Sequence, residues 1–381
     1  MTGREKIAAS FTEHGTTQIG VVVPYEGLYV RDRWDALTGL PWWFQFEPRI
    51  DRQMDWRASV RQCMDIDWVT LPVHYSRQEQ SSIRIQQEDE HVFLIDDGTG
   101  ERTPLRRPAQ SGWNPAGDVE SHEPTDPPDT PEEIDALVPA PPADSVSLAK
   151  EGRDSLAKAI LQGFGRGLYP IAQVSSPLWR CYDLWGFEGL MTRVRTNPEL
   201  VKHACSRFLA CSVHDAHCAA ALGAQAVWLE ECLTDMIAPQ DFESINMPFL
   251  RELVQSIRSV DMKSIYYFCG NPAAKWEQIL SAGADALALE EGKKGFQIDI
   301  EDVVAVVRGR CAVLGNLDAI DVLQNGTEDE LRHEIRRQMA AGRKNKDKFV
   351  MSLGSPITPG TSPQRVRLYC DLSHELGASD L

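Results

Sequence analysis

From Ser147 onward, short apolar runs alternate with longer stretches of helical period. The helical stretches are 147–163, 183–195, 197–222, 239–260, 272–282, 299–308, 327–343 and 363–376. Between them lie Leu168–Val174, Ala224–Glu230, Ser264–Cys269, Ala284–Glu290, Cys311–Asn316 and Lys348–Gly354. Each is short and nearly continuous in apolar residues, the pattern of a strand buried on both faces. Two more such runs, Thr17–Pro24 and Ile66–Val73, come earlier in the chain. Eight strands alternating with helices predict an α/β chain folded as a (β/α)8 TIM barrel. A doubly wound open sheet is the alternative, but no GxGxxG follows a strand to support it.

The intervening region reads differently. Residues 76–106 alternate polar and apolar positions, with Asp97-Gly98 as a turn. This predicts a hairpin from Ile83–Gln87 and His91–Asp96. Residues 107–145 are rich in Pro, Asp, Glu and Ser and too poor in apolar side chains to fold alone. We therefore expect residues 1–381 to form a single barrel domain with an N-terminal extension. Residues 76–145 are expected to be a hairpin and lid inserted in it, over the barrel mouth.

Composition narrows the partners. A net charge of -17 disfavours nucleic acid and anionic membrane surfaces. No apolar run is long enough to span a bilayer, and the start, Met1–Lys6, lacks the apolar core of a signal peptide. The protein is expected to be soluble and cytoplasmic. The cysteines show no CxxC pair and no regular framework, so most are expected to be reduced core residues. Cys205, Cys211, Cys218 and Cys370 fall in helical pattern and read as packing.

In a barrel the carboxyl ends of the strands gather at one mouth, where reactive groups are held. Cys269 ends one predicted strand and Glu290 the next, so the two are neighbours in space. Glu230 and Glu231 close the preceding strand. Asp235 and Asp318 follow strand ends and are candidate supporting carboxylates, and His74 is a further candidate ligand. Tyr266 and Tyr267 stand just before Cys269, to hydrogen-bond a substrate or to pack. Upstream, Arg31, Arg33, Trp34, Trp42, Trp43 and Phe44 lie close together in sequence. Such a group lines a pocket for an aromatic or anionic ligand, or seals one end of the core. The plain alternative makes Cys269 a buried thiol and pairs the glutamates with Lys293, Lys294 or Arg365.

The order Cys269-Gly270-Asn271, Gly283-Ala284-Asp285-Ala286, Gly315-Asn316-Leu317-Asp318 and Gly354-Ser355-Pro356, followed by Thr358-Pro359-Gly360-Thr361, resembles the uroporphyrinogen decarboxylase superfamily. The resemblance covers roughly residues 150–380 and implies a (β/α)8 barrel. It also implies one of two chemistries: tetrapyrrole decarboxylation, or zinc-dependent methyl transfer to or from a corrinoid on a separate protein. The decarboxylases carry an arginine-rich signature where this chain has Tyr25-Glu26-Gly27-Leu28-Tyr29-Val30-Arg31-Asp32, and a Gly-His-Gly where it has Gly354-Ser355-Pro356. The methyltransferases bind zinc through His-x-Cys and a later Cys; here those positions read Tyr267-Phe268-Cys269 and Ser355.

Family members that cleave aryl methyl ethers use carboxylate-containing zinc sets, so the resemblance implies a zinc site built from Cys269, Glu290 and one of Glu230 or Glu231. On this reading Tyr267 and Asp318 are catalytic candidates, and Trp34, Trp42, Trp43, Phe44, Tyr266 and Ser355 candidates for substrate binding. The expected activity is zinc-assisted transfer of a methyl group from a methoxylated aromatic compound to the Co(I) corrinoid, a cobalamin, of a partner protein. Asp215-Ala216-His217 begins a corrinoid-binding signature but continues Cys218-Ala219-Ala220, so the corrinoid protein is a separate partner. The alternatives are methyl transfer from a methylcorrinoid to a thiol, a decarboxylase without metal, and a non-catalytic barrel that binds a small molecule.

Overall fold

A computed structural model describes residues 1–108, 123–141, 147–292 and 295–378. All eight expected strands form and lie parallel: β1 (Gly20–Val21), β2 (Trp68–Thr70), β6 (Tyr169–Ser175), β7 (Ala226–Glu231), β8 (Lys263–Phe268), β9 (Ala286–Leu289), β10 (Ala312–Leu314) and β11 (Phe349–Met351). Their spatial order is β1-β11-β10-β9-β8-β7-β6-β2, a sheet nearly closed into a barrel with helices around it. The TIM barrel is thus the observed fold, and the open doubly wound sheet is not.

The barrel has a seam. β1 and β2 are the two ends of the sheet and do not form a ladder. They are held by Asp67, whose backbone N donates to Val21 O at 2.7 Å and whose Oδ2 accepts from Val21 N at 2.8 Å. A single side chain thus substitutes for a second backbone partner.

The expected hairpin is part of a three-stranded antiparallel sheet: β3 (Ile83–Glu88), β4 (His91–Asp96) and β5 (Glu101–Leu105). Asp97-Gly98 begins the turn into β5, while the β3–β4 turn lies at Asp89 and Glu90. Of the expected lid, residues 109–122 and 142–146 lie outside the described residues. The described helix Pro131–Leu137 rests on the outer helices of the barrel, anchored by buried Ile134. Trp185 Nε1 donates to Pro128 O at 2.8 Å, and Arg207 Nη2 to Val138 O at 2.8 Å.

Among the described residues, no helix is long and apolar enough to cross a membrane.

Candidate functional site

Register decides which residues meet at the mouth. In the ladders Glu230 pairs with Tyr267, and Tyr267 with Ala288. Side chains alternate between faces, so residues two further along each strand repeat the same face. That step places Cys232, Cys269 and Glu290 in one row across three adjacent strand ends. Cys269 N donates to Glu231 O at 3.0 Å, which carries the β7–β8 pairing up to this level. Cys269 and Glu290 are legible in the sequence as strand ends, but Cys232 lies one residue past its doublet and is missed there. The signal for it is the period of two running Trp228, Glu230, Cys232.

The row is closely coupled. A hydrogen bond with Cys232, burial, and the nearby Cys232 and Glu290 together push the Cys269 thiol far up. The Glu290 carboxylate is buried, and its Oε2 has no hydrogen-bond partner among the described residues. A buried acceptor without a donor is costly to keep, and that makes it a candidate ligand atom.

Below this row lies an aromatic floor. Tyr267 stacks on Trp228 with centroids 5.1 Å apart, and Trp228 meets Trp68 and Tyr25 edge-on at 5.8 and 5.6 Å. Trp228 Nε1 donates to Tyr25 OH at 3.2 Å, and Tyr267 OH donates to Gly354 O at 3.1 Å. Tyr267 is therefore fixed at both its ring and its hydroxyl. Burial raises the Glu230 carboxyl, against hydrogen bonding from Tyr25 and Trp179 that lowers it.

The same alternation turns the other member of each doublet outward. Glu231 is fully buried behind the sheet, where its two oxygens accept from Ser176 Oγ at 2.6 Å and Asn246 Nδ2 at 2.7 Å. Tyr266 lies on that outer face too, edge-on to Phe268. The structure therefore brings Cys269, Glu290, Glu230 and Tyr267 to the mouth and separates Glu231 and Tyr266 from them.

Burial raises the Glu231 carboxyl to about 7, despite the lowering hydrogen bonds from Ser176, Asn246 and Tyr266. Between about pH 4.5 and 7 the folded protein keeps a proton on Glu231 that the unfolded chain has released. Stability should fall as pH rises through that window, by on the order of 3 kcal/mol from this group. Glu231→Gln stays neutral throughout and should lose this component of the slope. Urea unfolding at several pH values would show it as a difference between the two proteins; identical slopes would exclude Glu231 as the source.

Several other candidates are engaged in building the site. Ser355, at the family's later cysteine position, donates its hydroxyl to Glu291 Oε2 at 2.6 Å. Asp318 Oδ1 accepts from Ile320 N and Asp321 N, both at 2.7 Å, capping the turn Ala319–Gln324. Asp235 packs under Gly270, where a Cβ would come within 2.2 Å of its side chain. Gly270 also has φ +103, so only glycine fits after Cys269. His74 is buried, with Nε2 on Pro48 O at 2.9 Å.

The N-terminal aromatics differ in burial. Trp34 is wholly buried, with Nε1 donating to Leu40 O at 2.6 Å. Trp42, Trp43 and Phe44 sit in the short helical turn Trp42–Phe46, half-buried, with Arg52 over the Phe44 ring. Arg365 donates to the carbonyls of Leu323, Val322, Gly326 and Thr327 rather than to the mouth glutamates. Lys293 and Lys294 lie outside the described residues.

The barrel superposes on a solved structure described as a methyltransferase from Methanosarcina mazei, with a TM-score of 0.67. That match covers 99% of this chain and 100% of the other at 17% identity, a likeness of fold. Among curated proteins, a uroporphyrinogen decarboxylase of Desulfotalea psychrophila is 29% identical over 181 residues, 48% of this chain. The chain spans about half the length of that relative, 50%. A methylcobamide:CoM methyltransferase MtbA of Methanosarcina mazei is 22% identical over 108 residues, 28% of this chain and 30% of that protein. The sequence profile described as Uroporphyrinogen decarboxylase (URO-D) matches residues 120–376, more than half of the 381 residues, and the chain belongs to that family.

Proposed function

We propose that the protein transfers a methyl group from a methoxylated aromatic compound to the Co(I) corrinoid of a separate partner protein, with zinc held at the barrel mouth. The observation that carries this reading is the row of Cys232, Cys269 and Glu290 across three strand ends, with Glu290 Oε2 lacking a partner. Among the described residues, no three His, Cys, Asp or Glu side chains stand ready-made around a metal. The fit rests on donor chemistry: two thiols and a buried carboxylate oxygen suit zinc and leave a fourth position open. Cys232, Cys269 and Glu290 would hold the ion. Zinc bound there would polarise the ether oxygen and stabilise the departing phenolate.

The chain's own residues supply rigidity and exclude water. Tyr267, clamped between Trp228 and Gly354, holds the end of β8 in place, so Cys269 keeps its position beside Glu290. Trp68, Trp228 and Tyr267 are buried and close the barrel beneath the row. The corrinoid partner would dock over the carboxyl-end mouth, the face on which the row lies.

Cys232 also gives weight to a second reading, transfer from a methylcorrinoid to a thiol, since a second sulfur moves the donor set toward one that activates thiols. The MtbA relative, by its name a methyltransferase acting on CoM, points the same way. The decarboxylase reading has less support: Tyr25 and Glu26 replace the start of the arginine signature, and Arg31 pairs with Asp32.

Elemental analysis of protein purified without chelator should find close to one zinc per chain. Incubation with a reduced corrinoid and a panel of methoxylated aromatics should alkylate the corrinoid, followed by its absorbance. Absence of zinc would overturn the proposal. Failure across the panel, with methylation of a thiol by methylcobalamin, would transfer the assignment to the second reading.

A further inference from the structure

Two cysteines meet at the mouth on neighbouring strands. Glu231 lies opposite Phe268 in the β7–β8 ladder, and Cys269 N donates to Glu231 O at 3.0 Å. One step further, Cys232 therefore lies opposite Cys269, and opposite residues of a parallel pair point to the same face. Adjacent strands run about 4.8 Å apart, inside the roughly 4.4–6.8 Å between Cα atoms that a disulfide spans. The two side chains share a hydrogen bond, and both residues are half-buried, so a small reagent entering the mouth reaches them.

Proximity alone does not make such a site. Cys181 Sγ stands 3.7 Å from Cys205 Sγ, but both residues are wholly buried in the helices Pro177–Thr196 and Pro198–Leu222. A reagent in water has no path to them. The pair at the mouth combines contact with access, the arrangement in which one cysteine is oxidised and its neighbour resolves the product.

We infer that Cys232 and Cys269 are a modification site, at which a hydroperoxide joins them in a disulfide that cannot hold zinc. One sulfur breaks the O–O bond and becomes a sulfenic acid, while the peroxide leaves as an alcohol, or as water from hydrogen peroxide. The second sulfur attacks the sulfenic sulfur and expels its hydroxyl as water. The two sulfurs lose two electrons and the O–O bond gains them. Two protons, from the thiols or from water where zinc has displaced them, complete the leaving molecules. Only a thiolate attacks, and zinc is held by thiolates, so the loaded pair is the reactive form. The disulfide leaves Glu290 as the single intact member of the row, and the metal is released. The inference rests on the zinc reading for this consequence, and on the geometry of the pair for the cross-link.

Treating the zinc-loaded, full-length protein with hydrogen peroxide tests it. Thiols titrated after unfolding should fall by two from the nine of the chain, with zinc appearing in solution in step. Mass spectrometry should find the peptides of Cys232 and Cys269 joined. Dithiothreitol should restore both the thiols and zinc uptake. Cys232→Ser and Cys269→Ser should each abolish the cross-link and leave a sulfenic acid that dimedone traps, while Cys181→Ala should leave the cross-link unchanged. Oxidation that carries Cys269 to a sulfinic acid without a cross-link, or that joins Cys181 to Cys205 instead, would overturn the inference. Should the cross-link form in protein that never held zinc, the modification stands and the zinc reading falls. Zinc retained and methyl groups transferred, with no cross-link at any peroxide dose, would do the opposite.

Discussion

Replacing Cys269 by alanine is expected to strip zinc from the protein and lower methyl transfer by about a hundred-fold or more. Even residues that only support a metal ligand cost ten- to a hundred-fold when changed, and Cys269 is proposed as a ligand itself. Its neighbours sharpen the test. Cys232 and Glu290 are the other members of the row, so Cys232→Ala and Glu290→Gln should each weaken zinc retention during dialysis against a chelator. Glu231→Gln should not, because its carboxylate faces Ser176 and Asn246 behind the sheet. The fold should survive Cys269→Ala, since the thiol lies at a strand end open to the mouth, and circular dichroism would verify this. Zinc content unchanged in Cys269→Ala, or lost equally in Glu231→Gln, would refute the assignment of the row.

The second large effect concerns stability. Trp228 is buried at the centre of the aromatic floor, against Tyr25, Trp68 and Tyr267, with its indole N–H on Tyr25 OH. Trp228→Ala should cost about 3–5 kcal/mol, from lost burial together with a cavity that rigid strand neighbours cannot close. Trp228→Phe keeps much of the ring contact but leaves the Tyr25 phenol without its donor, and should cost about 1–2 kcal/mol. Urea denaturation at constant pH would measure both. A loss below about 1 kcal/mol for the alanine variant would mean that the floor repacks. That result would also remove the argument that it holds the mouth rigid.

The sequence alone determined the barrel. Strands buried on both faces must be nearly continuous in apolar residues, and helices must repeat at 3.6, so eight strand runs could be picked out without tertiary information. It determined too that Cys269 and Glu290 lie at one mouth, because both follow directly on such runs. The limits of that legibility are physical. β5, with Arg102 and Pro104 in an exposed edge strand, lies within the alternating stretch 76–106 but is too polar to stand out as a strand of its own.

What only the tertiary structure decided is which member of each doublet faces the mouth. Glu230 and Glu231, or Tyr266 and Tyr267, are equivalent by composition; pairing register assigns opposite faces, because one step along a strand inverts the side chain. Register also brought Cys232 beside Cys269, while tertiary packing drew Trp34 into the core and left Trp42, Trp43 and Phe44 in a half-buried turn. Local pattern encodes which residues are buried; the sheet's closure and register decide what each buried group faces.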